Sequence, residues 1–299
     1  MTLTELRYVV ALFDTGHFRK AAQHCNVSQP TLSVAVKKLE SELGICLFER
    51  SRLGVNITPI GKQFVAQARV VLRESKGLNS IAESGKDPLG SMLSVGAIFT
   101  VGPYLFPRLI NQLQTTAVGM PLFIEESYTA DLRKKLADGT LDAIFIALPF
   151  SEPGVVTRPV YEEPFVVVMP KDHPLANQEA IDPAILADHR VLLLGEGHCF
   201  RDQVLAACPG LSDAMSGDIN KGHDSLRGSS LETIKYMVAS GLGITVLPKS
   251  AAGMMPSNDH SLIAKPFTKP TPSRTVALAW RVSFTRPQVI DLLTQALER

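Results

Sequence analysis

Val27-Ser28-Gln29-Pro30-Thr31-Leu32-Ser33 is the stretch on which the reading of this chain turns. Ser28 is a good N-cap residue, and Pro30 fits a first helical turn, where the amides have no intrahelical partner. A helix therefore starts here and runs to about Leu43, stopped by Gly44, with Leu32, Val36, Leu39 and Leu43 as its buried stripe. Just before it, Phe18, Ala21, Ala22 and Cys25 share one face of a shorter helix, and the two alanines allow close approach. Leu6, Val9, Val10 and Phe13 mark an amphipathic helix over Thr4 to Thr15, ended by Gly16. Two short helices joined by a tight break at Asn26-Val27 form a helix-turn-helix, whose second helix reads base edges from its first turns.

The residues this places toward DNA are Ser28, Gln29, Pro30, Thr31, Ser33 and Lys37. Gln suits adenine edges, Thr and Ser suit bases or phosphates, and Lys suits phosphates. The same face also fits the solvated side of a small helical bundle, but the next stretch weakens that reading. Leu47 to Arg50, a turn at Ser51 to Gly54, and Val55 to Pro59 read as a two-stranded wing. Arg50 and Arg52 lie near its tip, within reach of a phosphate or a minor groove. From Pro59 a long helix carries Phe64, Ala68, Val71, Ser75, Leu78 and Ala82 at heptad spacing. That spacing serves a dimerisation seam or packing within the chain's own domain, and a two-fold protein would match a dyad-symmetric DNA site.

Composition agrees with this organisation. The 299 residues are 45% apolar, with 30 Lys+Arg against 29 Asp+Glu and four Cys. Disorder and a disulfide-stapled secreted scaffold are both excluded. The first 30 residues carry Arg7, Asp14, Arg19 and Lys20 among their apolar positions, and no apolar run approaches a membrane span. A soluble cytoplasmic protein with no membrane partner is expected. Residues 1–90 hold 12 basic and 8 acidic side chains, the remainder 18 and 21. A basic arm on a mildly acidic body suits a polyanion-binding segment joined to a sensing domain.

Beyond a polar hinge at Glu83 to Gly90, short apolar strands alternate with helices. Strands are expected at Leu93 to Ile98, Leu122 to Glu126, Ala143 to Leu148, Phe165 to Met169, Val191 to Leu194, Ile244 to Leu247 and Val276 to Trp280. Helices are expected at Tyr104 to Gln114, Leu231 to Ser240 and Pro287 to Leu297. This α/β rhythm is that of two doubly wound lobes, with ligands at the carboxyl ends of strands. Thr100 and Thr129, each just past a strand, would open onto such a cleft.

Cys25 and Cys46 fall on apolar faces and read as small buried hydrophobes. Cys199 and Cys208 lie in Gly197-His198-Cys199-Phe200-Arg201-Asp202-Gln203-Val204-Leu205-Ala206-Ala207-Cys208-Pro209-Gly210, where Phe200, Val204 and Ala207 have helical spacing. In the first turn, helix amides together with His198 and Arg201 would favour a Cys199 thiolate. Nine residues of helix span about 13 Å, whereas a disulfide needs Cα atoms within about 7 Å. A bond between these thiols therefore requires the segment to give up its helix. From spacing alone, two inert core cysteines remain an equal reading. Ligand spacing for a metal is missing, and adjacent His198 and Cys199 rarely serve one substrate in hydrolysis.

Phe18-Arg19-Lys20-Ala21-Ala22, Val27 to Ser33, Leu39-Glu40, Leu43-Gly44, Leu47 to Arg50 and Thr58-Pro59-Ile60-Gly61 together resemble the N-terminal domain of LysR-type transcriptional regulators. The resemblance implies a winged helix-turn-helix (1–58), a linker helix and hinge (59–90), and a two-lobed α/β effector domain like periplasmic binding proteins (91–299). The lobes would be about 91–162 plus 268–299, and 163–267. It also implies a homodimer through the linker helix, a homotetramer, and RNA polymerase as a partner.

Thr100 to Leu105, Gly197 to Gln203 with Cys208, Ser230 to Thr233 and Gly243 to Pro248 resemble the hydrogen-peroxide-sensing members of that family. That likeness implies Cys199 as peroxidatic thiol, Cys208 as resolving thiol, and Thr100, Thr129, His198 and Arg274 around the peroxide, with no cofactor and no metal. The stretch Pro209 to Gly228 is longer and richer in Gly, Ser and Asp than the likeness implies. The expectation is a regulator of oxidative-stress genes, not an enzyme. Its rivals are a regulator sensing a small metabolite between the lobes and a thiol peroxidase.

Overall fold

The computed structural model describes residues 1–51, 54–84, 89–211, 227–253 and 261–297. The chain divides into two compact units, Met1–Lys86 and Asp87–Arg299.

In the first unit α1 (Leu3–Thr15) opens with a capping box between Thr2 and Glu5 and closes at Gly16, whose φ of 65° is left-handed. α2 (Phe18–His24) and α3 (Gln29–Leu43) follow. Ser28 caps α3 by accepting the Thr31 amide, and Gly44 ends it in the left-handed region. Val9, Leu12, Ala21, Ala22, Leu32, Val36 and Leu39 form the core. The stripe of α1 is rotated from the expected one: Leu12 is buried, while Phe13 is 38% exposed beneath the Arg69 guanidinium.

β1 (Phe48–Ser51) and β2 (Gly54–Ile57) pair antiparallel, Arg50 opposite Val55. Arg52 lies outside the described residues. α4 (Pro59–Ser84) follows. A Cβ on Gly61 would lie 2.3 Å from the Leu47 carbonyl, so only glycine lets α4 begin against the wing. The helix spends the start of its heptad row inside its own unit, burying Ala68 beside Val65, while Val71 and Leu78 are exposed. Cys46, expected in the core, is exposed, because Leu47 and Phe48 take the buried places beside it.

The second unit is built from β3 (Leu93–Ile98), β4 (Leu122–Ser127), β5 (Ala143–Ala147), β6 (Val155–Pro170), β7 (Val191–Leu194), β8 (Arg227–Gly228), β9 (Ile244–Pro248), β10 (Leu262–Pro266) and β11 (Ser273–Arg281). Among the described residues they form one nine-stranded sheet, eight strands in the order β4-β3-β5-β11-β6-β9-β7-β8 and β10 beside β6. The parallel trio β4-β3-β5 and the parallel trio β9-β7-β8 are joined through antiparallel β11 and β6. Each lobe is thus a mixed sheet, a parallel trio extended by antiparallel strands.

β6 runs sixteen residues, far beyond the apolar run at its end. Its first part pairs β11 and its last part pairs β9 and β10. Two separate cores result. One gathers Leu93, Phe145, Leu278 and Leu293 with α5 (Gly102–Thr116), α6 (Thr129–Ala137) and α10 (Pro287–Gln295). The other gathers Phe165, Leu192, Phe200 and Leu247 with α7 (Cys199–Ala207), α8 (Leu231–Ala239) and α9 (Lys249–Gly253). No described helix is long and apolar enough to cross a membrane.

Candidate functional site

β3 and β4 run parallel with Ile98 opposite Ser127. The two strands therefore deliver Phe99-Thr100 and Tyr128-Thr129 side by side at their carboxyl ends. From the other lobe the loop after β7 brings Gly197 and His198, and α7 starts at Cys199. Gly197 has φ of 92°, and a Cβ there would lie 3.3 Å from the Tyr128 ring. The left-handed backbone calls for glycine, and a Cβ would also press on the ring.

Phe99, Tyr128 and His198 form a ring cluster with centroids 4.8 to 5.9 Å apart. His198 is buried and hydrogen-bonded to the Ser229 main chain; burial pushes its pKa down, so it is held neutral at physiological pH. Together these segments line a partly open cavity of about 10 Å³, with Thr100, Thr129, His198 and Cys199 among its walls. That is on the scale of one water molecule.

Cys199 meets this cavity with its thiol bonded to the Thr129 hydroxyl. Burial raises its pKa, and Thr129 and Arg274 work against that rise. The expectation of a thiolate favoured by helix amides, His198 and Arg201 is therefore corrected on two counts. Desolvation outweighs every favourable contact here, and the groups that oppose it are Thr129, Arg274 and, as expected of a first-turn position, the Cys199 backbone amide, with no contribution from His198 or Arg201. The Arg201 Nε is buried with no hydrogen-bond partner among the described residues.

Arg274 is wholly enclosed. Its Nη1 donates to the Thr100 hydroxyl and its Nη2 to the Thr100 carbonyl, each at 2.8 Å. Nε donates to Glu163 Oε2 at 2.8 Å, and the guanidinium lies 5.1 Å from the Phe200 ring centre. Because the Thr100 oxygen is already accepting, its own proton is free to be donated into the cavity. Cys208 caps the far end of α7, is 1% exposed, and burial pushes its thiol up to about 11. All four cysteines are free thiols. Residues 212–226, most of the long Pro209 to Gly228 stretch, lie outside the described residues.

The structure thus brings Thr100, Thr129, His198, Cys199 and Arg274 together and holds Cys208 apart. Sequence reasoning missed Phe99, Tyr128 and Glu163; the first two are signalled by their places beside Thr100 and Thr129, and Glu163 only by strand pairing. On the DNA-binding unit Gln29, Pro30, Thr31 and Lys37 are exposed and Ser33 is half-buried. The Ser28 hydroxyl is occupied in capping, bonded to the Thr31 amide and hydroxyl. Val34, 66% exposed on the same helix, is an apolar group able to meet a thymine methyl.

Residues 3–62 match the bacterial regulatory helix-turn-helix model of the lysR family, and residues 86–299 match the LysR substrate binding domain. The chain belongs to the LysR family of bacterial regulators. Within it, the chain is 40% identical over 281 residues to the DNA-binding transcriptional dual regulator OxyR of Escherichia coli K12, covering 94% of this chain and 90% of that one. It is also similar to a full-length cysteine-to-aspartate OxyR mutant from Pseudomonas aeruginosa, with 53% identity, TM-score 0.79, and 99% and 94% of the two chains covered. A cysteine-to-serine mutant of Corynebacterium glutamicum OxyR with hydrogen peroxide bound matches at 33% identity and TM-score 0.64, covering 100% of this chain and 92% of that one.

Proposed function

We propose that this chain is a peroxide-responsive DNA-binding regulator of the OxyR type, acting in the cytoplasm. The observation that carries the reading is a thiol and two threonine hydroxyls facing a cavity of about 10 Å³, with a buried arginine behind them that donates to the Thr100 hydroxyl. The Cys199 thiolate attacks one oxygen of hydrogen peroxide. An S–O bond forms, the O–O bond breaks, and the departing hydroxide takes a proton and leaves as water. Thr100 and Thr129 hold the peroxide by hydroxyl hydrogen bonds, Arg274 stabilises negative charge at the departing oxygen, and His198 shapes the cavity as a neutral ring.

The sulfenic acid on Cys199 then meets Cys208. An S–S bond forms, the S–O bond breaks and a second water leaves. Two protons and two electrons have passed from the dithiol to the peroxide. The bond forms only when α7 unwinds, and that refolding is the signal. Cellular dithiols reverse it. Each chain spends one disulfide per signal, so the reaction is stoichiometric sensing, not enzymatic turnover.

The output is DNA binding at a dyad-symmetric site through Ser28, Gln29, Pro30, Thr31, Ser33, Lys37, Arg50 and Arg52. The exposed Val71 and Leu78 of α4 are the free part of a homodimer seam; a homotetramer and contact with RNA polymerase follow from the same reading. Free-thiol counting after addition of hydrogen peroxide tests the core of it. Wild type should lose two thiols per chain and Cys199→Ser none. Equal loss in the two proteins overturns the reading.

A further inference from the structure

Glu163 faces Arg274 directly across the β6–β11 pair, and both are 4% exposed. Its Oε2 accepts from Nε at 2.8 Å and lies 2.7 Å from Nη2, while its Oε1 accepts the Ser250 amide at 3.2 Å. A guanidinium is a rigid planar fork, so fixing its inner edge fixes the direction of its outer edge. That outer edge is the one that grips Thr100. Glu163 lines no part of the cavity; it reaches the chemistry through Arg274 alone. The charges matter as well as the geometry. Arg274 acidifies Cys199, and a buried carboxylate paired to that guanidinium offsets part of its field.

We infer that Glu163 is a positioning residue for the Cys199 reaction: it aims Arg274 at Thr100 and, as the carboxylate paired to that guanidinium, offsets part of its positive charge. The aiming half rests on the peroxide reading of the site; the charge half does not.

Both halves are tested in the full chain carrying Cys25→Ser, Cys46→Ser and Cys208→Ala, so that Cys199 is the only thiol. Two rates are measured: iodoacetamide alkylation as a function of pH, and oxidation by hydrogen peroxide at pH 7. Glu163→Gln keeps an acceptor for Nε and removes the charge. Its half-alkylation pH should fall by about 1, with alkylation at pH 7 rising by up to about tenfold. The ratio of the peroxide rate to the alkylation rate should stay within about threefold of the parent, because Thr100 is still held.

Glu163→Ala removes the anchor too, and there the ratio should fall about tenfold, the loss of about one hydrogen bond to a charged group. Glu163→Asp restores the charge and should bring the alkylation midpoint back toward the parent. A role confined to stability would leave the alkylation midpoint in place, so an unmoved midpoint in Glu163→Gln overturns the proposal, whether or not Glu163→Ala folds. If the parent itself reacts with peroxide no faster than free cysteine does, the peroxide reading fails, and the alkylation profiles still decide the charge half.

Discussion

Cys199 and Cys208 bracket the same nine-residue helix, and they pack against different cores: Cys199 against the cluster of Phe145 and Leu278, Cys208 within the cluster of Phe200 and Leu247. The helix is therefore a spacer that keeps two thiols of one lobe against two different cores, and its stability sets how often they meet. Ala206 is exposed on α7. Ala206→Gly should cost the helix about 1 kcal/mol without opening a cavity. Disulfide formation after peroxide addition should then accelerate about fivefold, while trapping of the Cys199 sulfenic acid by dimedone in a Cys208→Ser background should keep its parental rate. Acceleration of the trapping step instead would place the effect in the cavity, not the helix.

Gly197→Ala should do the opposite kind of damage. Its φ of 92° and the Tyr128 ring 3.3 Å from the new Cβ predict a loss of about 1–3 kcal/mol, with the whole strain placed next to His198 and Cys199. The urea midpoint of the reduced protein should drop, and oxidation of Cys199 should slow. Gly154, also at positive φ but with nothing within 4 Å of a Cβ, is the control: Gly154→Ala should lower the midpoint and leave the oxidation rate alone.

The contrast between these glycines also marks what a sequence can carry. The helix-turn-helix was legible because its signals are local: the Ser28 cap, Pro30 in the first turn, Gly16 and Gly44 at left-handed stops. Strands β3, β5, β7 and β9 were legible because burial on both faces makes them continuous apolar runs. The first part of β6 was not, since Arg158, Pro159, Glu162 and Glu163 break the pattern; that strand exists because β11 pairs with it. Glu163 was lost for the same reason. Its partner Arg274 is more than a hundred residues away, and nothing local announces that a polar residue in a strand will be enclosed. The acidity of Cys199 is only half legible: the first-turn amide is local, whereas desolvation, the largest influence on the thiol, is a property of the packed interior.

The raised thiol pKa values give a pH dependence with a definite sign. A thiol whose pKa is higher in the folded chain than in the unfolded one binds more protons when folded, so stability falls as pH rises between the two values. For Cys208 the window runs from about 9 to about 11, and the loss across it is of order 2 kcal/mol. Cys199, raised in the same direction by burial, adds to it. The urea midpoint of the reduced protein should therefore decline above pH 9, and Cys208→Ala should flatten that decline while lowering the plateau below it. The same sign means that oxidation by peroxide speeds up steadily from pH 6 through 9. Thr129→Val, which removes the hydroxyl bonded to the thiol, should move that rise to higher pH.

On the DNA-binding unit the exposed residues of α3 separate into two kinds. Lys37 is a point charge with a flexible stem, suited to a phosphate; Lys37→Ala should weaken binding to all duplexes alike and reduce the salt slope of log K by about 1 per chain. Gln29 stands in the first turn of α3 with an amide able to pair with an adenine edge. Gln29→Ala should cost about 1–3 kcal/mol on the preferred site and little on unrelated duplex, so the ratio of specific to non-specific binding should fall by tenfold or more. Titrations of both variants against a preferred and a scrambled duplex at two salt concentrations distinguish the roles. A Lys37→Ala loss confined to the preferred duplex would mean that Lys37 reads bases, and the assignment of the two residues would have to be exchanged.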